Sequence, residues 1–212
     1  MVKINRLITP YNYTKLSNKT NLYIVIHYVG AVSSAKANAN YFFKNKLQAS
    51  AHYFVDEKEI WQCVEDYNGA WHVGAKKYYN GARNNNSIGI EMCCKKDSNG
   101  HWFIEDKTIQ NTLELTKELM NRYSIPNSRV TIHNEVSGKI CPEPFVRNPN
   151  LWIEFKNKLE VIEMFSDEYK ALDYLVDKGK ISDKEYWLNA LKVVKNLNYL
   201  LIKYANDIFS IK

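Results

Sequence analysis

The stretch LYIVIHY, residues 22–28, is a short and almost continuous apolar run. Its length and its β-branched and aromatic residues are typical of a strand that is buried on both faces. SIGIEMCC (87–94) and RVTIH (129–133) are further predicted strands, and AHYFVDEKEIWQCV (51–64) has two β-rich runs around the polar DEKE, as in a hairpin. His27 is predicted to lie at the end of the first strand.

Predicted helices alternate with these strands. SSAKANANYFFKNK (33–46) has helical spacing, and the amphipathic pattern from residue 106 stops before Pro126. NLWIEFKNKL (150–159) is predicted as a closing helix. This alternation predicts an α/β fold, with a central mixed β-sheet flanked by helices, in a first domain of residues 1–160.

Residues 161–212 show no strand pattern and are predicted to form a small all-α module. We expect a helical pair, with Gly179 after the first helix and a capping box from Ser182 to Glu185 at the start of the second. The apolar residues of the second helix are Trp187, Leu188, Leu191, Val194, Leu197, Leu201 and Tyr204. A pair this small buries few of them, so they are expected to pack on the first domain or a partner, or to mediate self-association.

The amino-acid composition limits the classes of function that the chain can have. The 212 residues are 45% hydrophobic and 25% charged, as in an ordinary soluble globular protein. The net charge is +6, and from Glu163 onward eight acidic residues balance eight basic ones, so the basic excess lies before that point. Such a surplus attracts polyanions, including nucleic acid, anionic membranes and anionic cell-wall polymers. The absence of a Lys/Arg run or basic helical stripe argues against nucleic acid.

The sequence also indicates where the chain is made. No stretch approaches the roughly 20 apolar residues that cross a bilayer, which predicts no membrane insertion, and the first residues lack the apolar core of a secretory signal. The four cysteines form no CxxC pair, so structural disulfides are not expected. We therefore expect synthesis in a reducing cytoplasm without a signal peptide.

The stretch TIHNEVSGKICPEPF (131–145) brings a histidine, a lysine and a cysteine together. His27 and His133 each follow a predicted buried strand, so neighbouring strands would place both imidazoles at one sheet edge, and Cys141 follows in a proline-stiffened loop. Catalytic zinc sites use three such ligands. The spacing is not that of a standard zinc finger, however, and histidines at strand ends are often hydrogen-bonded core residues. On spacing alone, both interpretations stand.

The motifs IVIHY, SAHYFVD, AWHVG, SIGIEM and IHNEVSGKICP occur in this order between about residues 20 and 150. Together they resemble the amidase-2 family of zinc N-acetylmuramoyl-L-alanine amidases. That family shares its fold with peptidoglycan recognition proteins and is common among phage and prophage endolysins of Gram-positive bacteria.

The resemblance assigns a role to each matching residue. It implies a zinc ion held by His27, His133 and Cys141, with Glu91 of the SIGIE strand as general base and Lys139 beside the developing oxyanion. Some branches of the family have a tyrosine at the position of Ala51, so here the base role rests on Glu91 alone.

The resemblance also implies that Trp71 and His72 of AWHVG line a groove for the glycan and peptide, although such residues are as often simple packing. The expected function is that of an endolysin-type hydrolase that acts on the bacterial cell wall after release. Its partner would be peptidoglycan, cleaved between N-acetylmuramic acid and L-alanine. The C-terminal module is expected, by analogy with endolysins, to bind the wall.

Two other functions compete with this prediction. A cell-wall cysteine peptidase would use Cys141 as nucleophile and His133 as base, but it needs a cysteine presented at the start of a helix. Cys141 is instead followed by a proline and is predicted to lack that context. A non-catalytic peptidoglycan-binding module would have the same fold. Binding-only members typically lose the cysteine ligand, so the presence of Cys141 with both histidines favours catalysis.

Overall fold

The structure is a computed structural model that describes residues 3–160, 168–194 and 197–209. The main chain divides into two compact units, Met1–Lys156 and Asn157–Lys212. The predicted domain boundary after residue 160 falls next to residues 161–167, which lie outside the described residues.

The first unit contains the strands and most of the helices that the sequence predicts. Its strands are β1 (Ile4–Arg6), β2 (Tyr13–Thr14), β3 (Tyr23–Val32), β4 (Tyr53–Val55), β5 (Ile60–Gln62), β6 (Gly69–Ala70), β7 (Ser87–Lys96), β8 (Trp102–Phe103) and β9 (Val130–Ile132). Its helices are α1 (Ala35–Lys44), α2 (Asp106–Tyr123), α3 (His133–Ser137), α4 (Glu143–Arg147) and α5 (Pro149–Glu160), the last of which crosses the unit boundary, and a 3₁₀ turn spans Asn127–Arg129.

The central sheet is mixed, which confirms the predicted fold class. Its strand order is β1-β5-β4-β7-β3-β9, and β8 pairs with the end of β7. The hairpin β4–β5 and the pair β7–β8 are antiparallel, whereas the other neighbours in the order are parallel. β2 and β6 form a separate two-stranded sheet. Parallel strands need crossover connections, and α1 and α2 lie in those connections.

The centre of the sheet is formed by the most apolar runs. Ile24, Val25 and Ile26 of β3 are fully buried, as are Ile88 and Ile90 of β7. Continuous apolar runs are expected in strands that are covered on both faces. Helix α2 also follows its predicted pattern, because it ends at Tyr123 and a left-handed Ser124 directs the chain toward Pro126.

The prediction that His27 lies at the exit of its strand is wrong. β3 continues to Val32, and its pairing with β7 resumes at Val32 and Cys94 after an irregularity that follows Tyr28. The apolar run ends at Tyr28, but main-chain pairing with the long neighbouring strand extends β3 into residues that are exposed. His27 therefore lies in the middle of a strand.

The C-terminal unit is helical, as predicted, but the predicted pair is wrong. The described residues form α6 (Glu168–Asp177), α7 (Lys184–Val193) and α8 (Leu197–Phe209). The predicted second helix is interrupted because Val194 is extended, and residues 195–196 lie outside the described residues. Two successive β-branched valines lower the helix propensity there.

The apolar residues predicted for the second helix are therefore divided between different surroundings. Leu201 is buried with Ala171, Leu175 and Ala205 between α6 and α8, whereas Tyr204 and Val194 are about half exposed. The predicted Ser182 cap is also displaced, since the side chain of Asp183 accepts the hydrogen bond from the Tyr186 amide at the start of α7.

All four cysteines are free thiols. Within the described ranges, no helix combines the length and apolar character that a bilayer-spanning segment needs.

Candidate metal centre

Glu91 of β7, His27 of β3 and His133, the residue that follows β9, lie in one row. His27 of β3 is paired with Glu91 of β7. Ile26 is paired with Ile132 of β9, so His133, the next residue, lies beside His27. Residues in register on neighbouring strands point to the same face of a sheet. The parallel register therefore brings together three side chains that are far apart in the sequence.

Three buried side chains could hold a metal ion. Nδ1 of His133 lies 3.1 Å from Nδ1 of His27, and Sγ of Cys141 lies 3.7 Å from the same nitrogen. The three donor atoms all lie within 4.8 Å of one another. Two imidazole nitrogens and one thiolate form a set that suits zinc, and three protein ligands are typical of its catalytic sites. The residues therefore fit a zinc ion.

The loop that carries Cys141 is fastened to α3. Gly138, with φ +79°, ends that helix in the left-handed conformation that glycine adopts most readily. The Asn134 amide then donates to the Cys141 carbonyl over 2.9 Å, and the Asn134 side chain donates to the Lys139 carbonyl over 3.0 Å. These bonds fold the chain back, so that the cysteine faces the histidine at the start of the same helix.

Glu91 and Lys139 line the same cavity of about 280 Å³ as the three candidate ligands. Oε2 of Glu91 is buried and has no hydrogen-bond partner in the structure. Burial raises the pKa of Glu91 to about 8, and the charge of Lys139 opposes this shift. An unsatisfied buried carboxylate oxygen is costly unless a donor or a cation comes near it. The cavity is thus suited to a bound metal ion and water.

Burial keeps the imidazoles of the centre in their neutral form. It lowers the pKa of His27 and His72 well below the usual value and lowers the pKa of His133 to about 4. A neutral imidazole is the form that binds a metal. Burial also raises the pKa of the Cys141 thiol to about 12, so a nearby cation is needed to stabilise the thiolate at neutral pH.

The two residues of the AWHVG segment occupy different surroundings. Trp71 is partly exposed, and its indole donates to the Thr14 hydroxyl over 2.9 Å. Both Trp71 and His72 line the metal cavity and an adjacent cavity of about 690 Å³. His72 is nonetheless buried, and its Nδ1 lies 3.0 Å from Nε2 of His27. Their contact with a substrate stays a prediction.

Sequence reasoning missed a second layer of polar residues behind the centre. The Ser87 hydroxyl lies 3.1 Å from Nε2 of His72. Nζ of Lys19 lies 2.8 Å from the Ser87 carbonyl and 3.0 Å from Nε2 of His52, and burial lowers the pKa of Lys19 to about 7. No local motif marks these residues, since Ser87 begins an apolar strand and Lys19 lies in a polar loop.

Gly89 makes room for the ring of His72, and its replacement should destabilise the fold. A Cβ atom at Gly89 would lie 2.6 Å from Cγ and Nδ1 of that ring, which is closer than carbon atoms approach. Gly89→Ala should therefore lower the free energy of unfolding by about 1–3 kcal/mol, because the core must shift to accept the methyl group. Urea unfolding monitored by circular dichroism measures this loss.

Gly74→Ala is the matched control, because a Cβ atom there meets nothing within 4 Å. It should change the free energy of unfolding by no more than about 0.5 kcal/mol. Equal stability of the two variants would show that the fold does not require the close approach of Gly89 and His72.

Comparison with known proteins agrees with this geometry. The amidase-2 family model, described as N-acetylmuramoyl-L-alanine amidase, matches residues 17–144. The chain is 30% identical over 170 residues to the N-acetylmuramoyl-L-alanine amidase CwlL of Bacillus licheniformis, covering 75% of this chain and 45% of that protein. It is 34% identical over 142 residues to XlyA of Bacillus subtilis, with 65% and 43% covered. The chain thus spans less than half the length of these curated relatives.

Solved structures show the same fold. The catalytic domain of XlyA superposes with a TM-score of 0.62 at 30% identity, covering 74% of this chain and 99% of that one. PlyL superposes with a TM-score of 0.62 at 28% identity, with 75% and 96% covered. The family match includes all three candidate ligands together with Glu91 and Lys139. The chain therefore belongs to the amidase-2 family, the family of N-acetylmuramoyl-L-alanine amidases.

Proposed function

We propose that the chain is a zinc-dependent peptidoglycan hydrolase of the endolysin type. It would cleave the amide bond between N-acetylmuramic acid and the L-alanine of the stem peptide. One observation carries this proposal: the candidate ligands His27, His133 and Cys141 line a single cavity with Glu91 and Lys139. This set combines a metal centre, a carboxylate and a cation, which are the groups that metal-assisted amide hydrolysis requires.

The charges and positions of the side chains suggest their roles. A zinc ion held by the three ligands would polarise the scissile carbonyl and lower the pKa of a water molecule toward about 7. The charge of a bound zinc ion would favour the ionised form of Glu91 against the effect of burial. In that form Glu91 would accept the proton of the attacking water and deliver it to the leaving nitrogen of L-alanine. Its place in register with His27 puts the carboxylate on the same face of the sheet as the ligands.

Lys139 would stabilise the negative charge that develops on the carbonyl oxygen. It lies in the exposed part of the loop, two residues before the buried Cys141, and lines the same cavity. A positive charge fixed beside a developing oxyanion acts more strongly in a site that excludes water. The adjacent larger cavity, lined in part by Trp71 and Lys139, provides space for the glycan and stem peptide.

The two competing functions fit the site less well. A nucleophilic cysteine needs a lowered pKa, whereas burial raises the pKa of Cys141 to about 12. A module that only binds peptidoglycan has no need of a general base, yet Glu91 projects a buried, unsatisfied carboxylate oxygen into the ligand cavity. Metal-assisted hydrolysis is compatible with both observations, because it uses Cys141 as a ligand and Glu91 as a base.

Mass spectrometry of digested sacculi tests the reaction directly. Purified chain incubated with sacculi should release stem peptides with a free L-alanine amino terminus and leave N-acetylmuramic acid with a free lactyl carboxylate. Products cut within the peptide would instead identify a peptidase, and sacculi that are bound but not cut would identify a binding module.

We further propose that the C-terminal helical unit holds the enzyme on the cell wall. Its helices α6 to α8 enclose their own small buried cluster. Several aromatic and aliphatic side chains of this unit remain exposed on the outside, namely Tyr169, Tyr186, Val193, Tyr199 and Leu200. Exposed apolar side chains are available to bind a partner, and the wall is the partner that the family suggests.

A fragment of residues 1–160 should separate the two functions. It keeps every residue of the metal cavity, so its kcat/KM on soluble muropeptides should stay within about twofold of the full chain. Lysis of intact cells should be about 10²-fold slower, because an anchor raises the effective concentration of enzyme at its substrate. Turbidity assays and chromatography of muropeptide products measure the two rates.

Residues 161–212 fused to a fluorescent protein provide the complementary test, since this fusion should decorate the walls of susceptible cells. A fusion that stays in solution, together with a 1–160 fragment that aggregates, would show that the exposed apolar groups serve packing or self-association, and the anchor proposal would be wrong.

A further inference from the structure

The two ring nitrogens of His27 face different partners. Nδ1 faces the other candidate ligands, at 3.1 Å from Nδ1 of His133 and 3.7 Å from Sγ of Cys141. Nε2 points away from them and lies 3.0 Å from Nδ1 of His72. A nitrogen that binds a metal carries no proton, so the single proton of the neutral ring is on Nε2. His27 therefore donates a hydrogen bond to His72.

The same reasoning fixes the protons of the next two groups. Since Nδ1 of His72 accepts, its proton is on Nε2, which lies 3.1 Å from the Ser87 hydroxyl oxygen. That oxygen lies 2.6 Å from the Arg83 carbonyl oxygen. A carbonyl only accepts, so the Ser87 hydroxyl donates to it and uses a lone pair to accept from His72.

The direction of this chain of hydrogen bonds cannot be reversed. If Ser87 donated to His72 instead, the hydroxyl oxygen and the Arg83 carbonyl would face each other at 2.6 Å with no proton between them. The sequence of donors therefore runs from His27 through His72 and Ser87 to a main-chain carbonyl. Each of the three side chains thus donates one hydrogen bond to the next group, and the carbonyl accepts the last one.

The position of the His72 ring is set by its main-chain hydrogen bonds and by the space around it. Its main-chain amide and that of Val73 both donate to Oδ1 of Asn84, over 3.1 and 2.9 Å. The missing side chain of Gly89 leaves the space that the ring fills. Only 8% of His72 is exposed, so it offers little surface to a substrate.

We infer that His72 is a positioning residue of the metal centre, which holds His27 in its Nε2-protonated tautomer and so presents Nδ1 to the metal. Ser87 and the Arg83 carbonyl complete the chain that orients His72. Ligand histidines commonly donate their other N–H to an outer partner, and loss of such partners typically weakens metal binding about 10- to 100-fold. This inference rests on the proposed metal site and gives His72 a role other than the predicted contact with substrate.

Zinc affinity of the full-length chain tests the inference. Competition with a chromophoric chelator should show that His72→Phe, which keeps a ring of similar volume but no acceptor, weakens zinc binding about 10- to 100-fold. His72→Asn should recover part of the loss, because its amide oxygen can accept from Nε2 of His27. The exposed His101 provides the matched control, and His101→Phe should leave the affinity unchanged.

Nitrogen-15 spectra of the zinc-loaded protein give a second measurement, in which His27 should show a protonated Nε2 that is protected in wild type and exchanges rapidly in His72→Phe. Unchanged zinc affinity and tautomer in a folded His72→Phe protein would overturn the inference, and an accompanying rise in KM for muropeptides would assign His72 to substrate binding. If wild type itself binds no zinc, the proposed function fails instead.

Discussion

Removal of the metal should lower the rate of hydrolysis by about 10³-fold or more. The purified chain is expected to hold about one zinc ion, as a site of three ligands predicts. Dialysis against a chelator should reduce muropeptide cleavage by about 10³-fold or more, because a catalytic metal supplies several kcal/mol of transition-state stabilisation. Added zinc should restore the rate. Elemental analysis measures the zinc content, and a muropeptide cleavage assay on the same samples measures the rate.

Replacement of one ligand should reproduce the effect of the chelator. Cys141→Ala removes the sulfur that faces His27 and should lower both zinc content and activity. Cys63→Ala is a matched control, because that thiol is also buried but lies in a separate apolar cluster with Ala51 and Phe54. Full activity in a preparation without metal would disprove the site and the proposed reaction together.

Glu91→Ala should lower turnover while zinc remains bound. A general base acts on the barrier of the reaction, and its loss typically costs about 10²- to 10⁴-fold in kcat. Because Glu91 does not belong to the group of three ligands, zinc content and KM should change little. Lys139→Ala should show a similar pattern, since its charge acts on the oxyanion and not on the substrate at rest. Steady-state kinetics on a soluble muropeptide separate kcat from KM.

Two further variants make this experiment specific. Glu91→Gln keeps the size of the side chain but cannot accept the proton, so it should be as slow as the alanine variant. Glu105→Gln removes a carboxylate that pairs with Lys95 on the surface, and it should leave kcat unchanged. An unchanged kcat in both Glu91 variants would transfer the role of base to another group.

The sequence alone was sufficient to predict the fold class, because local patterns decide it. The apolar runs of β3 and β7 need burial on both faces, and the amphipathic period of α2 needs a sheet to cover. The motifs were likewise sufficient to identify the family, and the residue types of the ligand group followed from them. Each apolar run and each motif is local, and the motifs identify the family by their order along the chain.

The geometry of the centre depended on the tertiary structure. Parallel register, which single strands do not encode, places Glu91, His27 and His133 in one row, and the pairing of β3 with β7 puts His27 inside its strand. The hydrogen bonds from His27 through His72 to Ser87 also depend on the tertiary structure, because they join residues that are far apart in the sequence.

In the C-terminal unit, the helical spacing of apolar residues did not predict where the helices end. Helical spacing predicted one long helix, but Val194 is extended and the apolar residues are divided between α7 and α8. The helix propensity of single residues is a small free energy, so contacts in the folded protein can override it. The tautomer of a buried histidine likewise depends on contacts, because the acceptors around the ring decide which nitrogen carries the proton. Composition and motifs thus determined what kind of protein this is, and contacts between distant residues decided how its centre is built.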